Sequence, residues 1–361
     1  MNGLIHQLIR RFVWLGVLVL AGCSPRLQEA RKPGDFLFSF WNVENFYDDE
    51  DDPKNNDEME NWFGRNPDMF RLKVEHLAEV ILSMNEGSGP DILALCEVES
   101  ERSLEALRDE INKRLEAKNQ GDRKYQHILF IPDHTGREFA PGIITRCSVI
   151  QDKTHKFAKN PNGRNLEAHL TANGAELVVL VAHWTSRVER KNNSHSATPA
   201  NEQRRMSYAR ACYGRMHAIL AANQEADLIL CGDFNDTSSD PALKEGLHTV
   251  ADPADCVLSS DEPRPLDLLA AWDAHKDPPG SIYGKGQWSL FDHICVSAGM
   301  LDEKGWSCNP ASVKVFASNF MKRSGKRSHG EPFRFGNPNT RDRGYSDHFP
   351  VQVMISTHGA K

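Results

Sequence analysis

Asp233 and Asn235 follow directly after an apolar run and give the chain its first candidate for chemistry. Residues 228–231 are typical of a buried strand, and Gly232 ends it just before the two polar residues. A carboxylate and an amide at the carboxyl end of a strand are well placed for a site in a layered α/β protein. The same Gly-Asp-x-Asn pattern also forms ordinary Asx turns. Whether it marks a site therefore depends on how many other strands end in the same way.

Several other strand-like runs end in, or contain, polar residues that can bind metal ions or move protons. Each one alone has an ordinary explanation: a helix cap for Glu97, a strand-edge charge for Asp292 or a satisfied core histidine for His183. Such separate explanations do not account for the whole set, because carboxylates are rarely buried unless they are paired or bind a metal. The set comprises Asn42, Glu44, Glu97, His183, Asp233, Asn235, Asp292, Asp347 and His348.

The residue types in this set indicate which cation and which reaction they serve. Oxygen ligands without a cysteine cluster or a histidine pair favour Mg²⁺, Mn²⁺ or Ca²⁺ over Zn²⁺. Histidines in polar surroundings can transfer protons or contact phosphate. In metal-assisted hydrolysis, the cation neutralises charge on the phosphoryl oxygens while a His–Asp pair activates water. The set therefore predicts a metal-dependent hydrolase of phosphate esters.

The elements that must position these residues alternate between strands and amphipathic helices. Apolar residues recur at spacings of 4, 3, 4 and 3 from Phe70 to Met84, which predicts a helix. Two more helices are predicted, at residues 101–117 and in a segment ending near Leu220. A hairpin turn is predicted at Asn173-Gly174. Strands are predicted at 36–41, 92–96, 127–131, 143–144, 149–150, 164–170, 176–182, 228–231, 288–296 and 351–355.

Length and charge narrow the class of protein. The 361 residues carry a formal net charge of −7, which excludes a polycationic nucleic-acid binder but permits a local basic patch. Residues 187–205 and 321–334 are basic, and they form either exposed faces or a track for a phosphate backbone.

The acidic run Asp48 to Asp52 predicts a solvated loop, with a second cation site as the alternative. No composition break divides the chain after its amino-terminal segment.

The amino-terminal segment predicts export. Residues 1–22 are typical of a secretory signal peptide, because two arginines precede an apolar run, 12–21, that is too short to span a bilayer. The motif Leu20-Ala21-Gly22-Cys23 resembles a bacterial lipobox, which implies a lipid on Cys23 and attachment to a membrane, the outer membrane where the cell has one. Loss of the two arginines changes the formal charge from −7 to −9. Residues 23–35 are predicted to form a polar tether.

The seven further cysteines predict neither a zinc site nor a disulfide framework. They show neither a CxxC pair nor a regular spacing. Cys96, Cys231 and Cys295 fall in apolar runs and are predicted to be buried small residues. One bridge, between Cys256 and Cys308, is conceivable in an oxidising compartment.

Six short stretches resemble the endonuclease/exonuclease/phosphatase superfamily, which includes pancreatic deoxyribonuclease, apurinic endonucleases, inositol-polyphosphate 5-phosphatases and bacterial sphingomyelinases. They occur in the family's order: WNVEN at 41–45, LCEV at 95–98, HWTSR at 183–187, GDFN at 232–235, FDH at 291–293 and SDHFP at 346–350. The resemblance implies a DNase I-like α/β (α+β) fold. This fold is a four-layer sandwich of two mainly antiparallel β-sheets flanked by helices, here expected over residues 36–358.

The resemblance also implies a metal site. Glu97 matches the family's principal ligand for Mg²⁺, or for Mn²⁺ or Ca²⁺ in its place. Asn42, Glu44 and Asp347 match positions that complete or support that site.

Catalytic roles follow from the same resemblance. Asp233 and Asn235 are expected to position the nucleophilic water and the scissile phosphate. His348, oriented by Asp292, is expected to be the general base or the transition-state stabiliser. His183 is expected to donate a hydrogen bond to a phosphoryl oxygen.

Substrate contacts match the family less closely. Many relatives place an asparagine just before the first histidine, where this chain has Ala182, so one amide near the phosphate is missing. Arg137 and Arg187 are the candidate phosphate contacts, and the alternative for both is a solvated surface position.

The function predicted from the sequence is a secreted or surface-anchored metal-dependent phosphodiesterase, with nucleic acid as the preferred substrate and endonuclease activity. The basic segments beside the site motifs favour this choice. One alternative is a phosphatase or a sphingomyelinase-like phospholipase C of the same superfamily, which a long exposed aromatic hairpin would favour. Another is a catalytically silent binding lipoprotein, which the intact set of site residues disfavours. No protein partner is predicted.

Overall fold

The structure, a computed structural model, describes residues 34–52, 57–135, 137–159, 163–187, 199–272, 275–326 and 328–360. The predicted signal peptide, the lipid site at Cys23 and most of the tether lie outside these residues. So does the greater part of the basic segment 187–205. Across the described ranges, no helix combines the length and the apolar character needed to cross a membrane.

Two β-sheets form the centre of the protein, and their strands are numbered along the chain. The first sheet contains β1 (Asp35–Phe46), β2 (Ile92–Val98), β3 (His127–Phe130), β4 (Ala140–Thr145), β13 (Trp306–Cys308), β14 (Lys314–Val315) and β15 (Val351–Thr357). The second contains β5 (Ser148–Val149), β6 (Asn165–Ala172), β7 (Ala175–His183), β8 (Leu228–Asp233), β9 (Leu266–Asp267) and β12 (Asp292–Val296). The strands β10 (Ile282–Gly284) and β11 (Gln287–Ser289) form a separate hairpin.

The strand order brings the carboxyl ends of two parallel pairs into the middle of the sheets. The first sheet runs β13-β15-β1-β2-β4-β3, with β14 also beside β15, and the second runs β5-β6-β7-β8-β12-β9. Within these sheets the pairs β1–β2 and β7–β8 are parallel, and the other pairs are antiparallel. Parallel neighbours need a crossover connection, which is usually helical. Each of these two pairs has a helix in its connection.

Helices flank both sheets. The described α-helices are α1 (Glu58–Gly64), α2 (Pro67–Leu82), α3 (Glu101–Ala117) and α4 (Pro199–Ala222). The helix α3 packs on β2, β3 and β4 with α2 beside it, whereas α4 buries Met216 and Leu220 against the second sheet. The main core lies between the sheets and includes Phe38 and Val181. The predicted four-layer sandwich of two mainly antiparallel sheets is therefore confirmed.

Two local predictions need correction. The predicted strand 288–296 is two elements, because β11 turns back through Lys285 and Gly286, both with positive φ, to pair with β10. Asp48 is buried and accepts hydrogen bonds from Ser100 and from the N–H of Glu50, so the acidic run is not wholly a solvated loop.

The cysteines confirm one prediction and leave the possible bridge unformed. The three in apolar runs, Cys96, Cys231 and Cys295, are fully buried as predicted. Cys256 and Cys308 are both free, so they do not form the conceivable disulfide.

Gly232 is required for the close approach of β7 and β8. A Cβ at this position would lie 1.8 Å from the carbonyl oxygen of Ala182, whereas a Cβ on Gly214 of α4 would have no heavy atom within 4 Å. We expect Gly232→Ala to lower the free energy of unfolding by about 2–4 kcal/mol through overpacking. Gly214→Ala should raise it by about 0.5–1 kcal/mol, since alanine favours a helix.

Urea unfolding of both glycine variants and the wild type measures this pair of effects. An unchanged urea midpoint for Gly232→Ala would show that the two strands separate without cost and would contradict the assigned role. Gly214→Ala is the matched control for the added methyl group.

Candidate active site

Three predicted site residues lie side by side at the ends of strands in the second sheet. Asp233 of β8 is in register with His183 of β7 and with Asp292 of β12. Side chains in register on neighbouring strands point to the same face of a sheet. All three are buried. The pairing of the strands therefore assembles this row before any side chain contacts a ligand.

Asn42 links this row to the first sheet. Its Nδ2 donates to Asp233 Oδ2 at 3.0 Å and to Glu97 Oε1 at 3.3 Å. Its Oδ1 accepts the N–H of Glu44 at 3.0 Å. Because the amide nitrogen faces the carboxylates, Asn42 links the two sheets in this structure, and its role in the metal site stays a prediction.

His348 lies just before β15 and is fixed by one contact to its ring and one to its backbone. Its Nδ1 is 2.7 Å from Asp292 Oδ2, and Trp41 Nε1 donates to its carbonyl oxygen at 2.9 Å. This leaves Nε2 on the side of Asp233, 3.8 Å from Oδ2. Although burial opposes it, the carboxylates of Asp292 and Asp233 raise the pKa of His348 well above its ordinary value. The ring is therefore an imidazolium that can donate through Nε2.

The neighbouring histidine, His183, differs from His348 in its charge state. His183 Nε2 lies 3.6 Å from Asp233 Oδ2 and 4.0 Å from Glu97 Oε1. Burial lowers the pKa of His183 to about 4, so this ring is neutral near pH 7. Its Nδ1 is buried without a hydrogen-bond partner among the described residues. It is therefore not the satisfied core histidine that the sequence left open as an alternative.

The two carboxylates beside His183 differ in their acidity. Burial raises the pKa of Asp233 to about 7, and Asp292 adds to that effect. Burial also opposes ionisation of Glu97, but His183, Arg137 and the N–H of Asn45 lower its pKa to about 2. Pairs of groups whose pKa values are driven apart are typical of acid–base sites.

Left-handed backbone conformations concentrate at this site. The φ angles are +51° at Glu44, +52° at Asn45, +63° at Glu97 and +53° at Asn235. Such conformations cost non-glycine residues on the order of 1–3 kcal/mol and persist only where surrounding contacts impose them. Here Glu97 Oε2 accepts the N–H of Asn45 at 2.8 Å, and Asp233 Oδ1 accepts the N–H of Asn235 at 3.0 Å. Strain of this kind indicates a functional site.

An aromatic stack lies on the opposite face of the second sheet. Each ring belongs to the residue that follows a member of the polar row: Trp184, Phe234 and His293. Phe234 stacks on Trp184 at 4.2 Å and on His293 at 5.3 Å between ring centroids. His293 is fully buried and bonds to Asp267 Oδ2 at 3.0 Å through Nδ1. The stack fixes the backbone that carries the row.

The two predicted phosphate contacts are both engaged within the protein. Arg187 donates to the carbonyl oxygen of Asn235 at 2.7 Å and to Asp236 Oδ1 at 2.6 Å, and it also pairs with Asp240. These bonds fix the loop after the Gly-Asp-Phe-Asn motif, and contact of Arg187 with phosphate stays a prediction. Arg137 donates to Asp57 Oδ2 at 2.9 Å and borders the site through its charge on Glu97. Contact of Arg137 with phosphate stays a prediction.

Glu44 is engaged by other groups of the protein, and its role in the metal site stays a prediction. Its Oε1 accepts from Nε and Nη2 of Arg334 at 2.8 and 2.6 Å, and its Oε2 accepts the N–H of Phe335 at 2.9 Å. A carboxylate with both oxygens engaged in this way would lose these bonds on ligating a metal. Its partner Arg334 was not singled out in the sequence, because it lies in a basic segment that resembles an ordinary exposed face.

Lys73 is a second residue that the motifs did not reveal. It is fully buried in α2, and its Nζ donates to the carbonyl oxygen of Tyr345 at 2.7 Å. Burial lowers its pKa to about 8, while Glu44 and Asp347 oppose that shift. The available signal was its position three residues after Phe70 on the apolar face of the predicted helix.

The residues of the site fit a hard divalent cation. Within the described ranges, Asp233, Asp292 and His348 form a group whose ligand atoms lie within 4.8 Å of one another, but the imidazolium already supplies positive charge there. Glu97 and Asp347 keep 19% and 32% of their side chains exposed at the mouth of the site. Enclosure by the protein and the charge of Glu44 raise the pKa of Asp347 to about 6, although His348 and Arg334 oppose that shift. A cation held by Glu97 and Asp347 would add positive charge beside both carboxylates.

Comparison with solved structures shows the same fold in other proteins. A humanised D. rerio TDP2 with 14 mutations has a TM-score of 0.50 at 14% identity, with 90% of this chain and 99% of that chain covered. A family protein from Bacteroides thetaiotaomicron gives 0.50 at 14% identity, with 90% and 98% covered. The beta toxin of Staphylococcus aureus gives 0.51 at 10% identity, with 88% and 99% covered.

Sequence comparison decides the family. No curated protein matches this chain significantly. The family model described as "Endonuclease/Exonuclease/phosphatase family" matches residues 37–357, which include the polar row, Asn42, Glu97 and His348. This chain is a member of the endonuclease/exonuclease/phosphatase family.

Proposed function

We propose that this protein is a metal-dependent phosphodiesterase that uses water as its nucleophile and nucleic acid as its substrate. Members of its family are metal-dependent hydrolases of phosphate esters. The observation that supports the reaction most directly is the buried Asp292–His348 pair, with its 2.7 Å hydrogen bond, beside Asp233. This arrangement holds a proton donor and a proton acceptor on the same side of the site.

In this proposal each side chain of the row has a separate task. His348 donates its Nε2–H to the phosphoryl oxygen on which charge develops, and Asp292 holds the ring in that orientation. Asp233 accepts a proton from the attacking water, whose oxygen bonds to phosphorus while the bond between phosphorus and the ester oxygen breaks, and the leaving alcohol takes a proton from solvent. His183, neutral and 3.6 Å from Asp233, donates to a second phosphoryl oxygen. Asn235 keeps Asp233 in place through its backbone N–H.

Glu97 and Asp347 would hold the cation, which we propose to be Mg²⁺ or Mn²⁺. When bound, a divalent ion of this kind neutralises charge on the phosphoryl oxygens. The strained backbone of Glu97 and its bond from the N–H of Asn45 fix the direction of its carboxylate before the ion arrives.

The choice of nucleic acid is supported by exposed positive charge in the segment that leads to Arg334. Arg323 and Lys326 are exposed in the basic segment that ends at Arg334, the residue bound to Glu44. Cationic side chains bind the phosphate backbone without regard to sequence, and the affinity falls as salt rises. Endonuclease cleavage is our proposal for this substrate.

The test compares plasmid DNA with bis(p-nitrophenyl) phosphate, a small diester without a polynucleotide backbone. We expect the KM for DNA to rise with salt and to rise several-fold further in the double variant Arg323→Glu/Lys326→Glu, since each lost phosphate contact weakens binding. The KM for the small diester should stay unchanged. Lys118→Glu, which reverses an exposed charge at the end of α3, is the matched control.

The outcomes separate substrate from reaction. Hydrolysis of the small diester without any effect of salt or charge reversal on DNA would remove nucleic acid as the substrate. It would favour the phosphatase or phospholipase alternative of the same family.

A further inference from the structure

Arg334 lies at the mouth of the site with 53% of its side chain exposed. Its Nε and Nη2 both donate to Glu44 Oε1, at 2.8 and 2.6 Å. The same Nη2 lies 3.4 Å from Asp347 Oδ2, beside His348 in the chain. The guanidinium therefore stands between two carboxylates of the site while remaining open to solvent.

We propose that Arg334 is a further catalytic residue, whose guanidinium contacts a phosphoryl oxygen of the substrate while Glu44 fixes its orientation. This inference rests on the proposed function. It assigns Glu44 a positioning role in place of the predicted role as a metal ligand. It also adds a phosphate contact at the mouth of the site.

The geometry of the guanidinium leaves it able to make this contact. A guanidinium presents five N–H donors in a planar fork, and only one edge of Arg334 is engaged by Glu44. No described residue accepts a hydrogen bond from its Nη1. A phosphate oxygen near Asp347 and His348 would lie beside these donors. Bidentate recognition of phosphate is typical of arginine.

The rest of the pocket keeps this cation rigid and charged. Glu44 is buried, and its Oε2 is held by the N–H of Phe335 at 2.9 Å, so the carboxylate cannot swing away with the arginine. Although burial opposes it, Asp347 and Glu44 raise the pKa of Arg334 above its ordinary value. A preorganised donor costs little reorganisation during the reaction.

Lys73 compensates the same carboxylates from the core side. Lys73 is buried, which lowers its pKa, and the negative charges of Glu44 and Asp347 favour its protonated form. The positive charge of Arg334 is thus not the only charge available to balance Glu44, and it can be shared with a substrate phosphate.

Arg334→Ala tests the contact, and Arg343→Ala is its matched control. Arg343 belongs to the same region, donates to the carbonyl oxygens of Phe335 and Asn337 at 3.1 and 2.6 Å and lies over the rings of Trp62 and Phe335, so its loss reports on the structure of this loop. With bis(p-nitrophenyl) phosphate and saturating Mn²⁺, we expect Arg334→Ala to lower kcat/KM by roughly 10²-fold, the scale of one lost transition-state donor. Arg343→Ala should stay within threefold of the wild type.

Two further measurements separate contact from structure. Added methylguanidinium should restore part of the rate of Arg334→Ala, whereas methylammonium should not, because only the former reproduces the fork. In EDTA, inorganic phosphate should bind Arg334→Ala at least tenfold more weakly than the wild type, which tests the contact without any hydrolysis.

The proposal is overturned if Arg334→Ala and Arg343→Ala lose the same amount of activity, or if phosphate binding in EDTA is unchanged. Should Arg334→Ala fail to fold, Arg334→Lys keeps the charge beside Glu44 but not the fork, and a wild-type kcat/KM for it would overturn the proposal. A wild type that hydrolyses no diester defeats the proposed function instead, and the phosphate-binding comparison still decides the role of Arg334.

Discussion

His348→Ala is expected to lower kcat for diester hydrolysis by roughly 10²-fold or more, the scale of a general acid–base group. The imidazole is the group that Asp292 holds at 2.7 Å and whose Nε2 faces Asp233. Alanine removes the donor and leaves the carboxylate of Asp292 without its charged partner. The substrate can still bind at the metal and at the arginine, so KM should change much less than kcat.

The measurement is steady-state kinetics with bis(p-nitrophenyl) phosphate at saturating Mn²⁺. The matched control is His358→Ala, since His358 is exposed and bonds only to Ser307 among the described side chains. Circular dichroism and Tm show whether each variant is folded. A folded His348→Ala variant with kcat within twofold of the wild type would remove His348 from the mechanism.

Glu97→Gln should raise the Mn²⁺ concentration needed for half-maximal activity by about 10–100-fold, the range seen when the support of a metal site is lost. The amide keeps the size of the side chain but loses the negative charge that its environment maintains at a pKa of about 2. At fixed, subsaturating Mn²⁺ the rate should fall by a similar factor.

Electron paramagnetic resonance of free Mn²⁺ gives the affinity directly and does not depend on turnover. Glu105→Gln, on the exposed face of α3, is the control for loss of one carboxylate. Equal Mn²⁺ affinity in Glu97→Gln and the wild type would move the metal away from Glu97.

The elements that position the site could be predicted because local signals determine them. The helix predicted at 101–117 coincides with α3, whose amino terminus is capped by Ser100. The Asn173-Gly174 turn joins β6 to β7, with both residues at positive φ. Periodicity, caps and turn residues act over a few positions, so the sequence displays them.

The charged contacts of the site could not be predicted from local pattern. Glu44 and Arg334 are separated by 290 positions, and nothing near either residue shows that they pair. The motif match placed Glu44 among the metal ligands, but in the fold its carboxylate accepts hydrogen bonds from the guanidinium of Arg334. Arg187 likewise belongs to the motif that begins at His183, yet its hydrogen bonds go to Asn235, Asp236 and Asp240. Such choices depend on which loops the closed fold places together.

The sequence did not reveal where the strands divide near Asp292, for a related reason. Residues 288–296 form one apolar run in the sequence, but Gln287–Ser289 pair with Ile282–Gly284 and leave β12 to begin at Asp292. An apolar run shows that residues are buried without showing against which partner. The pairing with β8, which aligns Asp292 with Asp233, is a tertiary choice.

Metal dependence of diester hydrolysis tests the central claim most directly. The purified protein is assayed on bis(p-nitrophenyl) phosphate with Mg²⁺ or Mn²⁺, then in EDTA, then after the metal is restored. We expect hydrolysis with either ion, loss of activity in EDTA and its recovery on addition of excess Mn²⁺, since Glu97 and Asp347 would hold the cation that neutralises the phosphoryl oxygens. Full activity in the chelator, or no hydrolysis under any of these conditions, would contradict the account.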